Sequence, residues 1–139
     1  MFAWLAASIL TFIFASIFHS QFVLLGLTQI NIDIPMSDWL GMTFSDILGL
    51  SLGYGSVIAV TMLLCFGIST LITRYWRRLP VWSYPVFGAL AIALMLLAMQ
   101  PLLNVTLIAG ARSSLGFLFQ CCAGLIGGYV FARMWLSMK

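Results

Sequence analysis

Three polar side chains that could do chemistry share a predicted depth, although each comes from a different apolar run of the chain. His19, Thr61 and Gln120 each lie about eight residues from one end of such a run. Because a helix rises about 1.5 Å per residue, all three could lie about 12 Å below one membrane surface. We predict that they form a polar layer there, and we count Gln21, close to His19 in sequence, as a further candidate ligand residue.

This polar layer has a functional and a structural interpretation. A histidine inside a membrane can mark a proton relay or a ligand site. It can also make a structural hydrogen bond, which between membrane helices is worth about 0.6 to 2 kcal/mol. The sequence favours the structural interpretation and leaves the functional one open.

Arg112 requires a partner if it lies below the membrane surface. The only acidic residues in the chain are Asp33, Asp38 and Asp46, which fall on the same predicted side. We predict an ion pair between Arg112 and Asp46, because Thr43 and Asp46 have the spacing of a capping box that opens a short helix over 44–50. In the alternative, the Arg112 side chain extends into the headgroups and pairs with no residue.

The same inventory argues against several activities. No acidic residue lies inside an apolar run, so paired carboxylates within the membrane are excluded. One histidine cannot supply a zinc site, and a haem held by two histidines would require a dimer. No Gly-x-Ser-x-Gly sequence is present. We therefore predict no catalytic residue, no metal and no cofactor, and we disfavour an enzyme without excluding one.

The composition is that of an integral membrane protein. Of the 139 residues, 63% are hydrophobic and only 6% are charged, whereas a soluble domain carries about 25% charged residues. The net charge of +3 comes from basic residues scattered near the ends of apolar runs. With no basic face, it does not indicate nucleic-acid binding.

Four apolar runs predict an all-α membrane protein, a four-transmembrane-helix bundle that forms a single domain. The predicted crossings span about 3–27, 54–73, 82–103 and 113–135. Between the first two, an apolar-rich stretch predicts a short amphipathic segment at the membrane surface, with Trp39 at the level of the headgroups.

Basic residues set the predicted orientation. Arg74, Arg77 and Arg78 follow the second crossing, and Arg133 and Lys139 lie near the C-terminal end. Since basic residues are concentrated on the cytoplasmic side of membrane proteins, we predict that both termini are cytoplasmic. The expected location is a bacterial inner membrane, which the protein crosses several times.

A row of small residues runs along the fourth crossing. Gly116, Gly124 and Gly128 recur on one side of this helix, and Gly127 widens the same face. Small residues let membrane helices approach closely. We predict that this glycine seam packs against the first or second crossing of the same chain, and a homo-oligomer is the alternative.

Three short motifs resemble a known group of proteins. They are His19-Ser20-Gln21-Phe22-Val23-Leu24, then Asp46 followed by Gly49 and Tyr54, and Ala109-Gly110-Ala111-Arg112. With these motifs, the chain resembles an uncharacterised family of small four-helix proteobacterial inner-membrane proteins with no assigned activity. The resemblance implies a location and brings no mechanism.

Two function hypotheses follow. In the first, the protein binds a lipid or a partner membrane protein, with a polar site around His19, Arg112 and Gln120 in the outer leaflet. In the alternative, it is a small oligomeric transporter or channel with His19 in the pathway. A lipid or partner site predicts an apolar groove that opens sideways, whereas a transporter predicts a polar path across the whole bilayer. The sequence favours the first, because the cytoplasmic halves of the crossings contain few polar residues.

Overall fold

The computed structural model describes residues 2–29, 34–75, 80–103 and 113–137. Within these ranges, every regular element is a helix. The helices are α1 (Phe2–Gln29), α2 (Met36–Ser51), α3 (Tyr54–Tyr75), α4 (Ser83–Leu103) and α5 (Ser114–Ser137). The all-helical fold is therefore as the sequence predicts.

Three of the described helices are long and apolar enough to cross a membrane: α1, α3 over Tyr54–Thr73 and α5 over Ser114–Trp135. A crossing needs about 20 residues, since the hydrocarbon core is about 30 Å thick. The apolar stretch of α4, Ser83–Met99, is shorter than those of the other three helices. Three of the four predicted crossings are thus found as candidate spans. The remaining one, predicted over 82–103 and occupied by α4, stays a prediction.

The helices pack around one apolar core to which α1, α3, α4 and α5 all contribute. The most extensive contact is between α4 and α5, followed by that between α1 and α5. At one end, the rings of Phe66 on α3 and Phe131 on α5 stack with centroids 3.9 Å apart. Trp135 continues the stack, 5.9 Å from Phe131. Large aromatic rings thus fill the space between helices that are not direct neighbours.

The buried face of α1 consists mostly of small and hydroxyl side chains. It comprises Ala3, Ala7, Ser8, Thr11, Ala15, Ser16, His19, Ser20 and Leu24. Their spacing of three and four residues is that of one helix face. Because most of these side chains are short, α5 and α3 can approach α1 closely.

The glycine seam of α5 contacts α1, one of the two helices that we expected, and also α4, which we did not expect. A side chain on Gly128 would collide with the Tyr84 carbonyl and the Pro85 Cα of α4, and one on Gly124 would meet Gly88 and Ile92. Only Gly127 meets α1, at Ala7 and Thr11. At Gly124, Gly127 and Gly128 the seam is therefore covered by α4 and α1 of the same chain. The expectation of α1 or α3 missed α4, because the single glycine on that side of α4, Gly88, forms no repeating pattern.

Helix α2 is longer than predicted and begins earlier. It starts after Pro35, whose carbonyl accepts hydrogen bonds from the amides of Asp38 and Trp39. Thr43 does not cap a helix, since its hydroxyl donates to the Trp39 carbonyl one turn earlier. The predicted capping box of Thr43 and Asp46 is therefore wrong. Asp46 lies between the two ends of α2 and does not cap it, and its carboxylate instead contacts another helix.

Candidate functional site

Three residues of α2 with polar groups, Trp39, Thr43 and Asp46, face α1. The Ser20 hydroxyl donates a hydrogen bond to Oδ2 of Asp46, 2.8 Å away. The same hydroxyl lies 3.1 Å from the Ser16 carbonyl. A hydrogen bond to a charged acceptor contributes about 1.5 to 3 kcal/mol. The pair therefore links α2 to the buried face of α1.

A second polar contact lies beside the first. The indole N–H of Trp39 donates to Oε1 of Gln21 at 2.8 Å, and Nε2 of Gln21 lies 3.4 Å from the Thr43 hydroxyl. Trp39, Thr43 and Asp46 are spaced by four and three residues, so they share one face of α2. Trp39 is half-buried, and its indole N–H is directed at α1; its predicted position at the level of the headgroups stays a prediction.

His19 lies next to this contact and is 8% exposed. It is close enough to Asp46 for their charges to interact. Ser16, one turn earlier on α1, is completely buried, and its hydroxyl has no hydrogen-bond partner. The polar part of α1 therefore includes both a buried titratable group and a buried hydroxyl beside it.

Gln120 makes its contacts one turn deeper. It is 1% exposed, and its Nε2 donates to the Ala15 carbonyl at 3.0 Å. Because a carbonyl can only accept, this bond fixes the orientation of the amide. The Gln120 Oε1 then accepts the hydroxyl of Tyr54, also at 3.0 Å. One side chain of α5 thus joins α1 and α3 within the core.

The structure brings two residues of the predicted polar layer to neighbouring turns and leaves the third elsewhere. Ala15, the acceptor of Gln120, lies one turn before His19 on α1. Thr61 lines a groove between α3 and α4 instead. The partner that α3 supplies to Gln120 is Tyr54. Arg112 lies outside the described residues, so its pair with Asp46 stays a prediction.

Tyr54, Ser20 and Trp39 are members of this network that the sequence reasoning did not name as site residues. The spacing of Ser16, His19 and Ser20 along α1 contained a usable signal, because it defines one polar helix face. Trp39 and Tyr54 gave no such signal. Aromatic residues near helix ends are also typical of membrane interfaces, so their hydrogen-bond partners depend on tertiary structure.

The groove between α3 and α4 is the second feature of interest. It has a volume of about 460 Å³ and is open along one side. Apart from Thr61, Cys65 and Ser69, its walls are apolar: Leu64, Ile68, Ile72, Phe87, Leu90, Ala91, Leu94, Met95 and Ala98. Ligand pockets in proteins commonly have volumes of about 300 to 1,000 Å³, so the groove is large enough to hold a ligand.

Replacement of Asp46 by alanine is expected to loosen α2. This helix has no buried residue, so few apolar contacts compensate for the lost acceptor of Ser20. A hydrogen bond to a charged group is worth about 1.5 to 3 kcal/mol, which corresponds to at least about a tenfold increase in local opening. Hydrogen–deuterium exchange of the amides of 36–51 would measure it.

The matched control is Asp38→Ala, because Asp38 is exposed on the same helix and its hydrogen bond comes from the adjacent Ser37. Exchange in 36–51 should be unchanged in this variant. Equal exchange in the Asp46 and Asp38 variants would mean that Asp46 does not hold α2.

In the described part of the chain, no three His, Cys, Asp or Glu side chains come together in a group that could hold a metal ion. The described cysteines, Cys65, Cys121 and Cys122, are all free thiols. Comparison with protein-family models, curated proteins and solved structures finds no match to this chain. The resemblance to small proteobacterial membrane proteins therefore stays a prediction.

The fold and composition define the class of the protein. Three long apolar helices pack around a common core, and polar side chains in that core pair across helices. These features are typical of a multi-pass helical membrane protein.

Proposed function

We propose that this protein is a lipid-binding accessory protein of a bacterial inner membrane, with four crossings and both termini in the cytoplasm. In this arrangement α4 is the third crossing, and α2 lies at the outer surface. The observation that carries the proposal is the apolar groove between α3 and α4.

The groove suits a hydrocarbon ligand because its wall is mostly apolar and the polar side-chain atoms of Ser69 and Cys65 are already paired. The Ser69 hydroxyl donates to the Cys65 carbonyl at 2.7 Å, and the Cys65 thiol donates to the Phe87 carbonyl at 3.3 Å. These two polar atoms of the wall are thus directed at the backbone. A ligand in the groove would meet mainly methyl, methylene and aromatic groups, which favours an apolar chain.

The position of α2 supports its assignment to the membrane surface. Met36, Leu40, Phe44 and Leu48 recur every fourth residue and are exposed, while Trp39, Thr43 and Asp46 face α1. A helix with an exposed apolar row and hydrogen bonds to a spanning helix on another face suits the boundary between headgroups and acyl chains.

The length of α1 supports the same position. Its 28 residues would extend about 42 Å, or about 12 Å more than the hydrocarbon core. Gln120 lies 6 residues into α5, and its acceptor Ala15 lies 14 residues before the end of α1. The difference of 8 residues also corresponds to about 12 Å. The last turns of α1 therefore project beyond α5, and α2 is bonded to Ser20 and Gln21, just before this projecting part begins.

The contacts of Asp46, Gln21 and Gln120 support a structural role for the outer polar residues. Each side chain is hydrogen-bonded to a neighbouring helix. A transport pathway instead requires polar groups that face an open, water-filled space.

One observation favours the alternative, a small oligomeric transporter or channel with His19 in its pathway. The hydroxyls of Ser8 and Ser16 on α1 are buried without hydrogen-bond partners. Buried unpaired hydroxyls are unusual, and ordered water is a common partner. A row of waters along this face would give His19 access to protons.

Lipid retention after purification tests the proposal. We expect the protein, washed extensively in detergent, to retain about one lipid per chain, because the apolar wall of the groove can cover part of an acyl chain. Quantitative lipid extraction measures the ratio. In proteoliposomes the protein should leave proton permeability unchanged. A chain without lipid, together with a proton flux that His19→Gln abolishes, would support the transporter instead.

A further inference from the structure

Helix α2 rests on the other helices without entering their core. None of its residues is buried. The half-buried ones lie on one face: Trp39, Thr43, Asp46, Ile47 and Leu50. Hydrogen bonds join three of them to two consecutive residues of α1, Ser20 and Gln21. An element held by exposed hydrogen bonds and few buried apolar contacts opens more readily than the core around which it packs.

The attachment of α2 changes along the helix. Toward its start, the contacts with α1 are the hydrogen bonds of Trp39 and Thr43 with Gln21. Toward its end, Leu50 packs against the apolar core, and only two residues separate α2 from α3. The second of them is Gly53, where a side chain would meet no atom within 4 Å. Short connections with room to change their backbone angles serve as hinges, so α2 would turn about its C-terminal end.

The part of α1 that α2 contacts is polar and shielded from water. The Asp46 carboxylate lies against the Ser20 hydroxyl, and Ser20 is completely buried. His19, the preceding residue, is almost completely buried, and Ser16, one turn before Ser20, is completely so. Since Asp46 contacts Ser20 directly, α2 contributes to the burial of this polar part of α1.

The conformation with α2 in place has an unfavourable feature. Among the described residues, the Ser16 hydroxyl has no hydrogen-bond partner, and an unpaired buried hydroxyl costs free energy. Water admitted by a movement of α2 would supply a partner. The hydrogen bonds of Asp46 and Trp39 with α1 oppose this movement, but water can replace those bonds as well. The two positions of α2 therefore differ by a small balance of hydrogen bonds.

We propose that α2 is a hinged lid over the polar part of α1 formed by Ser16, His19 and Ser20. With the lid closed, as in this structure, these residues are shielded from water. When its hydrogen bonds to α1 break, α2 turns about the α2–α3 connection and admits water and small polar solutes to His19. The inference concerns access to α1 and does not depend on what the groove between α3 and α4 holds.

Two serines of α1 provide matched probes of access to water. Ser16 and Ser8 are both buried, and both hydroxyls lack a hydrogen-bond partner among the described residues. Ser8 lies eight residues earlier, about 12 Å further from α2 along α1, so the lid does not cover it. Reactivity of Ser16→Cys and Ser8→Cys with a water-soluble maleimide would be measured in the purified full-length protein. The native thiols would first be removed by Cys65→Ala, Cys121→Ala and Cys122→Ala.

Release of the lid is expected to expose the Ser16 position alone. While α2 is intact, both introduced thiols should react slowly. Asp46→Ala combined with Gln21→Ala removes hydrogen bonds that hold α2. It should accelerate the reaction of Ser16→Cys at least about tenfold, the factor that a hydrogen bond to a charged group supplies. The reaction of Ser8→Cys should not change, and Asp38→Ala, at an exposed position of α2, should accelerate neither.

Circular dichroism would establish that each variant is folded. Where one is not, His19→Cys replaces Ser16→Cys as the probe, and Ser20→Ala, which removes the hydrogen bond to Asp46 from the α1 side, replaces the release variant. A fast reaction at the Ser16 position with α2 intact would overturn the inference, because α2 would then not shield it. An unchanged slow reaction after release would mean that other helices bury this position. Equal acceleration at the Ser8 position would mean that the whole protein loosens and no lid opens.

Discussion

Replacement of Gly128 by leucine should strongly destabilise the protein by wedging two of its helices apart. A side chain at this position would collide with the Tyr84 carbonyl and the Pro85 Cα, which are backbone atoms of α4. A side chain can adopt another rotamer to relieve a collision, but a helix backbone cannot. The substitution would therefore separate α4 and α5 along their most extensive contact.

The expected loss is at least about 3 kcal/mol, the upper part of the range for overpacked interiors. Equilibrium unfolding in mixed micelles of increasing denaturing-detergent content would measure it. Gly128→Ala should have a smaller effect of the same sign, because even one added carbon atom meets the α4 backbone.

Gly67 on α3 provides the control, since a side chain built there meets no atom within 4 Å. Gly67→Leu should leave the free energy of unfolding unchanged or raise it slightly, because glycine is a poor helix former. Similar losses in the Gly67 and Gly128 variants would mean that the α4–α5 contact does not depend on close backbone approach.

The sequence was informative about which stretches are apolar and less informative about how the helices are rotated. The lengths of the apolar runs alone predicted the spans of α1, α3 and α5, because the thickness of the hydrocarbon core sets the length of a crossing. Which neighbour a side chain contacts depends on how its helix is rotated about its axis, and a uniformly apolar sequence does not encode this rotation. For this reason Thr61 was expected beside Gln120, although the α3 residue that contacts Gln120 is Tyr54.

The depth estimate failed for a related reason. Counting residues from the ends of apolar runs assumes that all the helices end at the same level. Helix α1 instead projects about 12 Å further than α5, as the bond between Gln120 and the Ala15 carbonyl implies. The contact between Asp46 and Ser20 could not be predicted either, because it depends on where α2 packs along α1.

The glycine pattern of α5 predicted close packing correctly, but it did not identify the helix that packs there. A run of small residues indicates that some backbone approaches closely, and a backbone does approach at Gly124, Gly127 and Gly128. The pattern contains no information about which helix that is. Here the answer depends on Gly88, a single residue that lets the α4 backbone approach Gly124.

Removal of the Gln120 amide should reveal a hydrogen bond across the core. In Gln120→Leu, the Tyr54 hydroxyl would lose its acceptor in a region that water does not reach, since both residues are buried. A buried group without a partner costs about 1 to 3 kcal/mol. The Ala15 carbonyl would lose less, because it also accepts the amide hydrogen of the following turn within α1.

A double-mutant cycle separates this hydrogen bond from the change in packing. Tyr54→Phe removes only the hydroxyl, so the variant with both substitutions has no unpaired group at this contact. We expect the double variant to be more stable than the sum of the single losses predicts, by about 0.6 to 1.7 kcal/mol, the average and the maximum measured for such bonds between membrane helices. The same unfolding experiment in mixed micelles would provide all four free energies. Strictly additive losses would mean that Gln120 does not stabilise the core through Tyr54, and the link from α5 to α3 would then depend on stacked aromatic rings such as Phe66 and Phe131.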